Sequence, residues 1–299
     1  MTISSCMKSM RLRTLPLSLA GVVMGIGMAS RVDEVGWGTV LFLLLTTSFL
    51  QILSNLSNEL GDVLHGTDTD ERQGMRYSIQ DGEMTIREMR LLIRASVVGC
   101  CLSGSLMIWS SFGGFAGLSP ILFMLLGAAA IIAAMRYTLG SNPYGYRGWG
   151  DFFVFIFFGL VSTLGSMFIC CHSFGSFLSL LPAVSVGLLS VGVLNVNNIR
   201  DMKTDARTRT TVALRLGDKK SRWYQTSLLA VGLVMMLIFT SLTWTHWCEW
   251  LYVVTFPLFL LHLRGVWTRR DKALDPMLPL LVMSTFALCV IASVTIGCC

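Results

Sequence analysis

Nine stretches of this chain run for about twenty residues with almost no charge, the length a helix needs to cross the hydrocarbon core of a bilayer. They are residues 14–30, 39–58, 89–112, 118–137, 151–171, 176–198, 223–243, 247–264 and 276–297. Gly, Ser and Pro interrupt several of them, which membrane helices tolerate. With 54% hydrophobic and 13% charged residues over 299 positions, the composition excludes an ordinary soluble domain. The pattern predicts an all-α polytopic bundle of about nine transmembrane helices. It reads as a single integral-membrane domain, 1–299, whose partner throughout is the lipid bilayer.

The 23 Lys and Arg residues test this map. With the N-terminus in the cytoplasm, only Arg31 falls on the outer side. The others gather at the N-terminus (Lys8, Arg11, Arg13) and in the even-numbered connections, above all between Arg200 and Arg222. Cytoplasmic loops carry such an excess of basic residues, so the N-terminus is expected inside and the C-terminus outside. The net charge of +6 follows from this topology, and no nucleic-acid partner is expected. The N-terminus has signal-peptide traits, with a basic start and Gly27-Met28-Ala29 closing an apolar run. Cleavage would discard Arg11 and Arg13, so the segment is read as the first span. The nine Cys form no C-x-x-C pair and are expected to pack as small apolar residues; the four His are scattered.

Two polar clusters stand where apolar runs end. The first is Asn55, Asn58 and Asp62, continuing to Asp68 and Asp70. The second is Asn195, Asn197, Asn198 and Asp201, continuing to Asp205. Carboxylates near hydrocarbon are costly, roughly 2.5–3.5 kcal/mol each at a helix centre. Asn55, Asn58 and Asp62 are spaced to share one helical face, as are Asn197, Asp201 and Asp205. Oxygen-only ligands suit a hard cation such as Mg²⁺, which bridges to phosphate oxygens. The pattern therefore predicts one cavity between two helix-plus-loop units, holding a lipid diphosphate through metal. Arg72, Arg200 and Arg209 stand near the clusters, and Arg13 enters the first span directly. Each is a candidate phosphate clamp, and each also satisfies the topology rule. A secondary transporter with an ion site between repeats would carry similar clusters, but nearer the bilayer midplane.

The connection from Tyr137 to Asp151 is rich in Gly and aromatics and holds an Asn-Pro turn signal. It suits an interfacial aromatic belt. It equally suits a site offering the hydroxyls of Tyr137 and Tyr144 at a cavity mouth.

Taken together, these residues resemble the UbiA superfamily of intramembrane prenyltransferases. The landmarks are Arg11-Leu12-Arg13-Thr14-Leu15-Pro16, Asn55-x-x-Asn58-x-x-x-Asp62 with Asp68, and Gln80-x-Gly82-x-Met84-Thr85. They continue with Tyr137-x-x-Gly140-x-x-Pro143-Tyr144-Gly145-Tyr146, then Asn197-Asn198-Ile199-Arg200-Asp201-x-x-x-Asp205 and Leu214-Arg215-Leu216-Gly217. The Asp motifs are common to the superfamily. The Pro-Tyr-Gly-Tyr loop and the Asn-Asn-x-Arg-Asp segment are most similar to the branch that prenylates 1,4-dihydroxy-2-naphthoate in menaquinone biosynthesis. The alternative acceptor is 4-hydroxybenzoate.

The resemblance implies nine spans around a central cavity, in a bacterial cytoplasmic membrane, with the active site near the cytoplasmic face. It implies Mg²⁺-dependent transfer of the prenyl group of a polyprenyl diphosphate. Asn58, Asp62, Asp68, Asp201 and Asp205 would hold the metal, with Asp62, Asp201 and Tyr137 on the catalytic side. Arg13, Asn55, Asn58, Arg72, Tyr144, Asn197, Asn198, Arg200 and Arg209 would line the diphosphate and acceptor sites. The chain departs from the pattern at Glu59, where the family has Asp. It departs again at residues 206–211, where Arg209 stands in for a Lys, and at Arg136, to which no family role corresponds.

Overall fold

The structure, a computed structural model, describes residues 2–66 and 77–298. Among them, nine helices are long and apolar enough to cross a membrane. In chain order they are α1 (Ile3–Ser30), α2 (Trp37–Leu64), α3 (Ile86–Phe112), α4 (Leu118–Arg136), α5 (Gly150–Cys171), α6 (Phe177–Arg200), α7 (Asp218–Thr243), α8 (Trp247–Thr268) and α9 (Asp271–Gly297). The nine apolar runs thus become nine spans, with edges shifted where polar residues extend a helix beyond hydrocarbon. Helix α2 reaches Leu64 rather than stopping near Asn58, which places Asn55, Asn58 and Asp62 inside a continuous helix. Helix α7 starts at Asp218, because Asp218 and Arg222 pair one turn apart at 2.7 Å.

Helix α1 is broken near its start. Ile3–Met10 is one segment, and Arg11 then turns left-handed (φ 49°) before Leu15–Ser30 enters the bundle. The Met10 carbonyl left open by this break accepts a hydrogen bond from Asn55 Nδ2 at 2.8 Å. The break therefore hooks the N-terminal segment onto α2.

Helix α1 packs against α2, α5 and α9, while α6 joins α5, α7 and α9. Glycines allow the closest approaches. A Cβ at Gly25 would lie 2.3 Å from the Thr163 carbonyl oxygen, and one at Gly159 would lie 2.5 Å from Gly187 Cα. Small residues let backbones meet where lipid tails supply no hydrophobic drive between helices. The part of α5 in these contacts, Phe155–Gly165, is wound as a π-helix, a rare geometry often found at functional sites.

Helix α4 is the least buried span, and it leans on α2 and α3 without extensive contact with α5. Its outer face exposes Leu118, Leu122, Leu125 and Ile132. Trp37, Trp244 and Trp247 are exposed at span ends, the belt expected of interfacial aromatics. Cys248, expected to pack as a small apolar residue, is disulfide-bonded instead. Cys6, Cys100, Cys101, Cys170, Cys171 and Cys289 are free thiols.

Candidate active site

A cavity of about 330 Å³ lies between α1, α2, α4 and α5. It follows the seam where α4 and α5 fail to close. Val22, Leu43, Met107 and Ile169 line one end, while Asn55, Asn58, Tyr137 and Tyr144 line the other. An apolar chamber with a polar end suits an amphipathic lipid.

Beyond the polar end, the two acidic clusters meet. Helix α2 buries Asp62, whose Oδ1 accepts a hydrogen bond from the Tyr146 hydroxyl at 2.7 Å. Arg209 reaches Asp62 Oδ1 at 3.9 Å and Asp205 Oδ1 at 2.7 Å, with its side chain only 10% exposed. One guanidinium thus bridges the carboxylates of the two halves. Burial pulls the Arg209 pKa down, but Asp62 and Asp205 more than offset it, so the pKa is raised and the charge is fixed. The Tyr146 ring stacks beneath this guanidinium at 5.8 Å and meets His65 edge-on.

The segment after α6 departs from the expected continuous face. Helix α6 ends at Arg200, and Met202–Asp205 forms a separate turn. At the break Arg200 forks its neighbour Asp201, its Nε and Nη2 lying 2.8 and 2.6 Å from the two carboxylate oxygens. Arg200 also reaches Asp275 and Asn197 Oδ1, each at 2.8 Å. The break turns Asp205 back toward Arg209 and Asp62. Thr210 N then donates to the Tyr146 carbonyl at 2.8 Å, tying this loop to the aromatic one.

The predicted residues divide accordingly. Asp62, Asp205 and Arg209 converge, and Asn58 stands one turn from Asp62, its Oδ1 accepting from Thr138 Oγ1 at 3.2 Å. Asn198 and Arg209 share with Tyr137 and Asp151 a recess of about 10 Å³, room for roughly one water. Tyr137 and Tyr144 meet edge-on at 5.4 Å, and burial pushes the Tyr137 phenol up to about 12 against the opposing charge of Arg209. Tyr144 donates its hydroxyl to the Ala133 carbonyl and offers the cavity its ring. Asn55, Asn197, Arg200 and Asp201 spend polar atoms on protein partners. Arg13 is exposed and lies 3.4 Å from the Tyr77 hydroxyl. Asp68 and Arg72 lie outside the described residues.

Three contributors escaped the sequence argument. Tyr146 was visible only as part of a loop motif, although its hydroxyl orients Asp62. Thr138 holds both Asn58 and the Ser57 carbonyl. Glu59 is fully buried, and its Oε1 accepts from the Ile79 backbone N–H at 2.9 Å, anchoring the far end of the connection that follows α2. The signal for Tyr146 was Gly145, where a Cβ would lie 2.6 Å from the Tyr137 carbonyl oxygen. Only glycine lets that loop fold back onto the site.

The profile of the UbiA prenyltransferase family matches residues 18–293. The chain belongs to the UbiA prenyltransferase family. Among relatives, it is similar to the 1,4-dihydroxy-2-naphthoate octaprenyltransferase of Haemophilus influenzae, with 39% identity over 90% of this chain and 87% of that one. The enzyme of the same name from Escherichia coli is 36% identical, over 91% and 88% of the two chains. The fold of this UbiA-family chain is also that of a UbiA homologue from Aeropyrum pernix K1, with a TM-score of 0.68, 16% identity, and 96% and 97% of the chains covered. A homologue from Archaeoglobus fulgidus, solved with DMAPP and Mg²⁺, superposes with a TM-score of 0.65 at 12% identity over 97% and 99% of the chains.

The donor chemistry of the UbiA-family site fits a divalent cation. Asp62, Asp205 and Asn58 are hard oxygen donors. A buried guanidinium already sits between the two carboxylates, marking a point that demands positive charge.

Proposed function

We propose that this protein transfers a polyprenyl group from an allylic polyprenyl diphosphate to 1,4-dihydroxy-2-naphthoate, with decarboxylation, on the route to menaquinone. The observation that carries this reading is the junction of an apolar chamber, slit open along α4 and α5, with an ionic end built by Asp62, Arg209 and Asp205. The 1,4-dihydroxy-2-naphthoate octaprenyltransferases to which the chain is similar support the choice of acceptor.

The prenyl tail lies in the chamber, where each buried CH₂ contributes about 0.8 kcal/mol. The diphosphate lies at the ionic end. Asp62, Asp205 and Asn58 would hold Mg²⁺ there, with Asp201 and Asp68 as further oxygen donors. The chemistry such an ion would supply is neutralisation of the negative charge that develops on the diphosphate. Arg209 then exchanges its carboxylate partners for phosphate oxygens, with Arg13, Arg72 and Arg200 as further cations. The allylic C–O bond breaks, and diphosphate leaves with the electron pair. The electron-rich naphthoate ring attacks the allylic cation, forming the C–C bond, and the carboxylate leaves as CO₂, its bonding electron pair returning to the ring to restore the aromatic hydroquinone. Tyr137 and Tyr144 present aromatic faces to the cation, and Phe153 and Phe157 keep water from the same chamber. The basic residues crowd the end of the bundle that carries the site, so this end faces the cytoplasm, the N-terminus is inside and the C-terminus outside. The membrane is the bacterial cytoplasmic one, and the whole chain acts as one domain.

Purified protein incubated with Mg²⁺, a short allylic diphosphate and the naphthoate is expected to give a decarboxylated prenyl-naphthohydroquinone, read by mass spectrometry as such or as the quinone after oxidation by air. EDTA is expected to abolish it. Product from 4-hydroxybenzoate alone would overturn the acceptor, and no product from either would overturn the reaction.

A further inference from the structure

The cavity is mostly apolar, with single hydroxyls from Ser18, Ser162 and Ser166, and its longest polar line runs down α2. Thr47, Gln51, Ser54 and Asn58 follow at i, i+4, i+7 and i+11, so they share a face, and all four line the chamber. Gln51 is the most constrained of them. It is 92% buried by its 8% exposure, and its amide orientation is dictated by its neighbours. Gln51 Nε2 donates to Thr14 Oγ1 and to Asn55 Oδ1, each at 3.1 Å. Asn55 Nδ2 donates to Thr14 Oγ1 at 2.9 Å and to the Met10 carbonyl at 2.8 Å. Thr14 Oγ1 gives its own proton to the Arg11 carbonyl at 2.9 Å.

Every donor in this set is therefore used. Flipping the Gln51 amide would set its oxygen against the Asn55 oxygen, so the network forbids it. What remains is Gln51 Oε1, an acceptor with no partner among the described residues, on a side chain that lines the cavity. A chamber built only for a prenyl tail has no use for such an atom. An unpartnered polar group is destabilising in apolar surroundings unless something pairs with it. The Ser54 hydroxyl, one turn closer to the ionic end, likewise has no protein partner among the described residues.

We infer that Gln51, with Ser54 beside it, is the subsite for a ring hydroxyl of the aromatic acceptor. The hydroxyl donates to Gln51 Oε1. The site thereby selects acceptors bearing a phenolic O–H at that edge and rejects those in which it is missing or capped. This inference rests on the prenyl-transfer reading above and adds to it the group that recognises the acceptor. The amide is pinned from behind by Thr14 and Asn55, so it cannot rotate to accommodate a ligand that offers only an acceptor.

The test uses the whole enzyme in detergent or membranes. The probes are 1,4-dihydroxy-2-naphthoate and its two mono-O-methyl ethers, measured as competitors of the parent acceptor. Wild type is expected to bind one of the two ethers at least ~10-fold more weakly than the parent, because a capped oxygen cannot donate and would face Oε1. In Gln51→Leu that penalty is expected to collapse to within ~2-fold, while KM for the allylic diphosphate stays within ~2-fold of wild type. Full discrimination retained in Gln51→Leu would overturn the assignment. Should Gln51→Leu fail to fold, the wild-type ethers decide alone: equal binding of both ethers and the parent would overturn it. Prenylated naphthoate from wild type together with unchanged discrimination would sink this subsite and leave the reaction standing. No product from wild type would sink the reaction itself.

Discussion

Replacing Arg209 with Met removes the guanidinium shared by Asp62 and Asp205. The side chain is 10% exposed, and its partners are 4% and 1% exposed, so solvent screens these charges little. At a separation near 4 Å and an effective dielectric of about 20, each pair is worth roughly 4 kcal/mol before desolvation. Removing one partner of a buried pair costs about 3–5 kcal/mol, because the stranded charges keep their desolvation penalty. In detergent with EDTA, Arg209→Met is therefore expected to lower the midpoint of thermal unfolding by on the order of 5–10 °C. Mg²⁺ should reverse this. An ion that binds only the folded state adds about 2.7 kcal/mol at a hundredfold excess over its Kd. In wild type it competes with Arg209 for the same carboxylates, whereas in Arg209→Met it meets them without that competitor. The Mg²⁺-induced rise in Tm is thus larger in the variant than in wild type. An unchanged Tm in EDTA, or equal Mg²⁺ shifts in the two proteins, would refute the argument that Arg209 occupies a cation's place.

Other substitutions probe separate parts of the site. Asp62→Ala is expected to abolish turnover by at least ~100-fold while the protein still inserts, judged by membrane fractionation and monodisperse elution; substantial activity would sink its assignment as a metal ligand. Tyr146→Phe deletes a 2.7 Å hydrogen bond to a buried carboxylate, so kcat should fall roughly tenfold with little change in acceptor KM. Tyr137, pushed up to about 12, stays protonated through about pH 10, so Tyr137→Phe should lower the rate without altering the alkaline side of the pH profile. Gly25→Val places a Cβ 2.3 Å from the Thr163 carbonyl oxygen, so α1 and α5 must separate. A loss of folded yield and a Tm lowered by several degrees are expected, and a wild-type melting curve would contradict the packing described.

Hydropathy and charge are local quantities, and what depends on them was legible in the chain. The nine spans, their order and the basic end of the bundle follow from apolar runs and the placement of Lys and Arg, because each run meets lipid on its own account. The Asn58 and Asp62 face was likewise legible, since both lie on a helix whose period is fixed. The second cluster was not. Its spacing implied one continuous helical face, but α6 ends at Arg200, which forks Asp201, and Met202–Asp205 forms a separate turn. No helical spacing encodes that. The aromatic loop showed a turn without showing its target: Tyr146 meets Asp62 across 84 positions of chain. Gln51 looked like one polar residue in an apolar run, and its fixed orientation exists only because Arg11 breaks α1 and brings Thr14 beside it. The sequence by itself determined that this is a membrane bundle with two acidic clusters at one end, since the bilayer enforces that pattern helix by helix. Only the tertiary structure decided that one guanidinium binds both clusters and that Gln51 Oε1 stands open at the chamber, because each depends on atoms that distant segments bring together when they pack.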